Sequence, residues 1–196
     1  MIDALMEVRI DCLVSNSLTH LRGVDLFQRL PKHEVRLPAG VDMDGHQLWL
    51  SQCAEMGYKP EARLYAEGTR TSQDAADQLG CDVAHIAKSI VFAGQEGAVV
   101  VITSGANRVE RKRKLKRLLG YKPSMTDAEY IIQNTGYAPG GVPPFGHTKP
   151  CTVLLDEDLL QYELVWGAGG TAQTVFPITP DDLISLSGAS VADVKQ

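Results

Sequence analysis

The sequence has no CxxC pair, no HExxH or GxSxG motif, and no uninterrupted apolar run of the ~20 residues that a membrane-spanning helix needs. Each absence removes a class of protein. Four cysteines, Cys12, Cys53, Cys81 and Cys151, lie far apart. That spacing excludes a zinc ribbon and argues against a disulfide framework, leaving buried, reduced thiols as the simpler expectation. Neither GxxxxGK[ST] nor a GxGxxG after a strand occurs, so no metal and no cofactor are expected. The N-terminal stretch MIDALMEVRIDCLVS carries Asp3, Glu7, Arg9 and Asp11 among its apolar residues, which no secretory h-region would do. A soluble, cytoplasmic protein without membrane contact is the expectation.

What remains is a chain of 196 residues, 44% apolar and 22% charged, with a formal charge of -5. It is long enough for one domain with a real core, with room for an appendage. Its net charge offers no general attraction to nucleic acid and no reason to expect DNA as a partner. Any such contact must come from a local patch. The first 42 residues are the least legible: VRIDCLV reads as a strand and VDLFQRL as a helical turn before LPKHEVRLPAGVDMDG breaks into loop chemistry. Met43 opens the legible part. Residues 1–45 are therefore expected to be an N-terminal extension, loosely ordered or not native, and residues 46–196 the domain.

From there helices and strands interleave. HQLWLSQCAEMG reads as an amphipathic helix closed by Gly57, and ARLYA as a short strand. Thr71 or Ser72 caps the helix SQDAADQLG, which stops at Gly80. IAKSIVF and AVVVITS are strands joined by the turn AGQEG. NRVERKRKLKRLLG and TDAEYIIQNTG read as helices, the second capped by Thr126. Strand CTVLL, a short helix from Asp156, strands YELVW and QTVFPI, and the helix PDDLISLSG follow. No regular βαβ repeat runs through the order. The expected class is α/β of the α+β type, with a mixed, partly barrel-like sheet surrounded by helices.

Three features stand out. Lys88 shares one strand face with Ile86, Ile90 and Phe92, so it either snorkels from an edge or reaches into a pocket. Ser89, on the other face, gets no role from the pattern. The second feature is a basic run: Arg108, Arg111, Lys112, Arg113, Lys114, Lys116 and Arg117 are seven of nineteen Lys and Arg residues, opposed only by Glu110. Such a run is commonly a solvated face, but on an acidic protein it is also a fair surface for phosphates. The third is YAPGGVPPFGHTKP, residues 137–150, with four prolines and three glycines, followed later by GAGGT at 167–171. So many backbone-shaping residues suit a rigid wall that meets a ligand with bare backbone.

Taken in order, SQDAADQLG, IAKSIVF, GGVPPFGH, TVLLDEDL and GAGGTAQTVFPITPDDLISLSG resemble the YbaK/prolyl-tRNA-synthetase-associated domain family, the free-standing aminoacyl-tRNA deacylases. The resemblance covers roughly residues 60–190. It implies a mixed sheet curled toward a barrel and hydrolysis of the ester at the 3′-terminal adenosine of mischarged tRNA. Lys88 matches the family's signature lysine, with Ser89 beside it in the substrate contact. Gly140, Gly141, Pro143 and Pro144 match the GxxxP loop, with Gly146 and His147 immediately after; Gly169 and Gly170 match the glycine turn opposite. Asp156 falls in the TVxxDExL-like stretch. The implied catalytic set is Lys88, the Gly141 amide as an oxyanion donor, and His147. Arg108, Arg111, Lys112, Arg113 and Lys114 would hold the acceptor end.

One methylene is worth only ~1–3 kcal/mol in a pocket that yields, so an editing site needs a stiff wall. An ester is already activated, so positioned water and oxyanion donors can suffice without a nucleophile motif. The expected partners are mischarged aminoacyl-tRNA and, secondarily, an aminoacyl-tRNA synthetase. Two other readings stay open: a non-catalytic tRNA- or synthetase-binding module, and a small-molecule esterase or nucleotide-binding protein.

Overall fold

The computed structural model describes residues 43–65 and 71–196; the expectations for residues 1–42 lie outside them. Helix α1 (Met43–Glu55) is followed by β1 (Arg63–Leu64), α2 (Ser72–Leu79), β2 (Ile86–Ala93) and β3 (Ala98–Ser104). A wide π-type turn over Arg111–Leu115 runs into α3 (Lys116–Leu119), and then come α4 (Ala128–Thr135) and β4 (Thr152–Asp156). A 3-10 turn (Glu157–Gln161), β5 (Val165–Ala168), β6 (Thr174–Ile178), α5 (Pro180–Ser187) and β7 (Ser190–Ala192) complete the order. The strands form one mixed sheet in the order β1-β6-β5-β2-β3-β4-β7, with helices around it as expected.

Alternation explains the layering. All seven residues of β3 are buried. Val100 and Ile102 join a cluster with Trp49, Tyr137, Phe145 and Phe176, while Val99 and Val101 join Phe92, Leu115, Leu154 and Val194 on the opposite face. Cys53 sits in the first cluster, and burial pushes its thiol up to about 12, which leaves it inert at neutral pH.

Local chemistry sets the helix ends. Thr71 and Asp74 form a reciprocal capping box on α2, and Gly80 ends it in the left-handed region at φ 68°. Two boundaries differ from expectation. Asp127, not Thr126, caps α4, because the Thr126 hydroxyl donates instead to the Val91 carbonyl at 3.0 Å. The basic helix starts at Arg111 rather than Asn107. Residues 108–110 are drawn into strand-like pairing with the C-terminal segment, where the Glu110 N–H donates to Val194 O and the Gln196 N–H to Arg108 O. Glu110 then caps the turn through the amides of Lys112, Arg113 and Lys114. Strand β7, pairing parallel with β4, has no counterpart in the sequence reading. Among the described residues no helix is long and apolar enough to cross a membrane.

Candidate active site

The cleft arises from how β2 is paired. Its β3 edge is paired throughout, but it pairs with β5 only at Ile86–Trp166 and Ala87–Gly167. Beyond Ala87 the two strands part. Farther along, Ala93 exchanges bonds with Ser124 and Val91 O accepts from Thr126. Alternate residues of β2 thus point their backbone away from β3, and by the same alternation the N–H and C=O of Ser89 face the gap. The gap is a cleft of about 730 Å³, lined by Lys88, Ser89, Gly140, Val142, Gly167 and Ala168 among others.

Inside it, the Ser89 hydroxyl is buried with no hydrogen-bond partner. Lys88 Nζ donates to the Asn107 carbonyl at 3.2 Å. Burial, and then the nearby Arg108 charge, hold the Lys88 ammonium below its ordinary pKa. Asn107 is itself anchored: its amide donates to Asp156 and to Asp158, each at 2.8 Å. Asp156 is fully buried and also accepts from the Thr103 hydroxyl at 2.7 Å and the Ser104 N–H at 3.3 Å. Its carboxylate therefore does not line the cleft but holds the backbone on which Lys88 rests.

The proline-glycine loop is a buried wall rather than a surface connector. Phe145 packs against Trp49, Tyr58 and Phe176, and Tyr137 donates its hydroxyl to Gly146 O at 2.7 Å. Gly140 lines the cleft at φ 87°. Gly141 lies behind it, and its N–H donates to Ala138 O at 3.0 Å. That amide is spent within the loop, so the expected oxyanion donation is corrected to a spacing role: a Cβ there would meet the Thr171 and Gly170 backbone. Pro143 and Pro144 are buried in the same wall. Gly169 and Gly170 are buried where the opposite turn meets α1; the His46 ring donates from Nδ1 to Gly169 O at 2.6 Å. The cleft itself is faced by Gly167 and Ala168 from that segment. The sequence reading missed His46, Trp49 and Asn107, and no local pattern marks the first or last of these.

His147 does not line the cleft. Its Nε2 donates to Pro143 O at 2.9 Å, closing the loop on itself. Burial lowers its pKa from 6.5, only partly offset by that bond. The native imidazole thus resists a proton that the unfolded chain accepts, so stability present above about pH 6.5 is lost as pH falls toward the native pKa. The melting temperature should decline across that acid window, and His147→Gln should flatten the decline. An unchanged slope in the variant would remove His147 as its source.

Of the basic residues, Arg111 donates to Pro123 O at 2.7 Å and Lys114 bonds Asp193 at 2.5 and 2.6 Å. Arg113 lies 3.5 Å from Glu110 with its side chain 90% exposed, a pair worth little. The exposed side chains of Arg108 and Lys112 engage no acid among the described residues.

Comparison with known proteins identifies the family. The chain is 28% identical over 127 residues to YwhH of Bacillus subtilis (strain 168), covering 65% of this chain and 81% of that one. It is 25% identical over 138 residues to an Enterococcus faecalis (strain ATCC 700802 / V583) protein named "Putative Cys-tRNA(Pro)/Cys-tRNA(Cys) deacylase EbsC", covering 70% and 84%. A crystal structure titled as "a putative trans-editing enzyme for prolyl tRNA synthetase" superposes with a TM-score of 0.74 at 39% identity, covering 78% of this chain and 98% of that one. Residues 66–186 match the family model described as the aminoacyl-tRNA editing domain. The chain belongs to that family and is, by membership, a deacylase of mischarged tRNA.

Proposed function

We propose that the cleft between β2 and β5 receives the aminoacylated 3′ end of tRNA and that Lys88 and Ser89 are its principal polar contacts. The observation that carries this reading is the state of Ser89. A buried hydroxyl without a partner costs about 1–3 kcal/mol, and here it sits beside outward-facing backbone groups in a mostly apolar cleft. A polar substrate group satisfies all three. The Ser89 carbonyl suits an α-ammonium, and its N–H and hydroxyl suit the ester or ribose oxygens. Lys88, held by Asn107, places positive charge where the ester carbonyl gains negative charge during water attack. Water adds to that carbonyl, the bond to the ribose oxygen breaks, and the products are a free amino acid and a 3′-hydroxyl. The loop with Gly140 and Val142 forms the wall that limits side-chain size.

Arg108 and Lys112 are the basic residues best placed for the acceptor end. Arg113 is available beside them, while Arg111 and Lys114 serve mainly to hold the basic segment. A synthetase of the prolyl type is the partner suggested by the solved relative. The test is a deacylation time course on tRNAs charged with alanine, serine, cysteine, threonine or proline. Rapid loss of one or two small amino acids is expected, with a rate below saturation that falls steeply between about 50 and 200 mM salt as phosphate contacts weaken. Intact tRNA binding with no hydrolysis of any charged species would leave only a binding module.

A further inference from the structure

A second cavity, of about 480 Å³, adjoins the first. Lys88, Ile90 and Met125 line both. The second lies on the Phe92 face of β2, with Ile90, Phe92 and Val109 supplying apolar surface and the stretch from Asn107 to Lys112 forming its rim. Met125 stands at the junction with 68% of its surface exposed, an unusual place for a thioether side chain unless something covers it. Three cations on the rim, Arg108, Arg111 and Lys112, have no acidic partner among the described residues. Arg111 is held by the Pro123 carbonyl, which leaves Arg108 and Lys112 to meet a ligand. The one acidic side chain on it, Glu110, is occupied by three backbone amides, and Gln196 also lines the cavity, with its N–H on Arg108 O. Arg108 also bears on Lys88 with like charge, a repulsion that an anion between them would relieve.

We infer that this second cavity is the subsite for the penultimate nucleotide of the single-stranded tRNA end, its base resting on Ile90 and Met125 and the phosphodiester leading to the terminal adenosine bridging Arg108 and Lys112. The inference rests on the first cleft holding the terminal aminoacyl-adenosine. The apolar floor with a cationic rim is the combination that single-stranded nucleic acid requires: a surface for the base face and fixed charge for the backbone. The shared wall at Lys88 explains how one strand can serve two consecutive residues of a bound chain.

Binding of adenosine 5′-monophosphate and of the dinucleotide CpA to the full chain tests it. The monophosphate carries more negative charge than CpA, so charge alone favours the smaller ligand. Tighter binding of CpA, by about tenfold, therefore reports the second base. In Met125→Ala, which removes surface under the second base, the ratio of the two affinities should fall toward one. Arg108→Ala and Lys112→Ala should instead weaken both ligands, because both carry the bridging phosphate. Melting temperatures should be unchanged because all three side chains are exposed. A wild-type ratio at or below one, a ratio that survives Met125→Ala, or affinities for both ligands that survive Arg108→Ala and Lys112→Ala, overturns the subsite. The deacylation time course on charged tRNA is run on the same preparation. If it succeeds while CpA gains nothing, the subsite alone is wrong; if both fail, the placement of the terminal nucleotide falls too.

Discussion

Lys88→Ala should lower kcat/KM for deacylation by about 10²- to 10³-fold, the usual effect of removing one preorganised donor from a site of developing charge. Among the described residues, Lys88 is the only cation that lines both cavities. The loss should not come from unfolding. The native ammonium is held below its ordinary pKa, first by burial and then by Arg108. Its charged form is therefore less at ease in the folded protein than in water. The native state releases that proton before the unfolded state does, so stability rises as pH climbs through the native pKa. It follows that Lys88→Met should be as stable as wild type at neutral pH, or more so, while remaining inactive. The alkaline limb of the pH–rate profile supplies a second reading. It should fall at lower pH than an ordinary lysine would give, and Arg108→Ala should move it upward by removing the like charge. Full activity in Lys88→Met would sink the assignment of Lys88 to the reaction.

The sequence exposed the parts of the site that local chemistry controls. The β2–β3 hairpin follows from two apolar runs around AGQEG, α2 from its capping box, and the stiff wall from prolines and glycines concentrated in one loop. What stayed hidden depends on partners far along the chain. The outward backbone of Ser89 is free because β5 diverges after Gly167, a fact of sheet geometry that no periodicity records. Asp156 reads as the start of a short helix after strand CTVLL, and only the fold shows it buried beneath Asn107. Helical propensity extended the basic helix back to Asn107, but pairing with Val194 and Gln196 took three residues into extended structure. The expected amide of Gly141 was assigned from its place in the loop motif, whereas the turn it sits in directs that N–H to Ala138. In each case tertiary hydrogen bonding overrode a sound local expectation.

Gly141→Ala is the sharpest test of the wall. A Cβ at this position would lie 2.7 Å from Thr171 Cα and 2.9 Å from Gly170 O. Both contacts are backbone, so no side chain can rotate away and the loop must separate from the Gly169–Thr171 turn. That turn is itself fixed, through the His46 bond to Gly169 O and the Thr174 bond to the Thr171 amide. Overpacking of this kind costs about 1–3 kcal/mol, and the displaced segment carries Val142, whose side chain faces the cleft. Deacylation should fall by at least about tenfold, since displacement of a positioning wall by a fraction of an ångström is felt directly in rate. The choice between small amino acids should also change, because the wall that excludes the larger one has shifted. Gly188→Ala provides the comparison. Its φ of 62° is strained for alanine, but nothing lies within 4 Å of the added carbon and α5 ends away from the cleft. It should lose a similar amount of stability, about 1 kcal/mol or more, with kinetics intact. Equal kinetic losses in the two variants would mean that Gly141 matters only for folding. A loss confined to Gly141→Ala, with altered amino-acid preference, would tie the stiffness of the loop to selectivity.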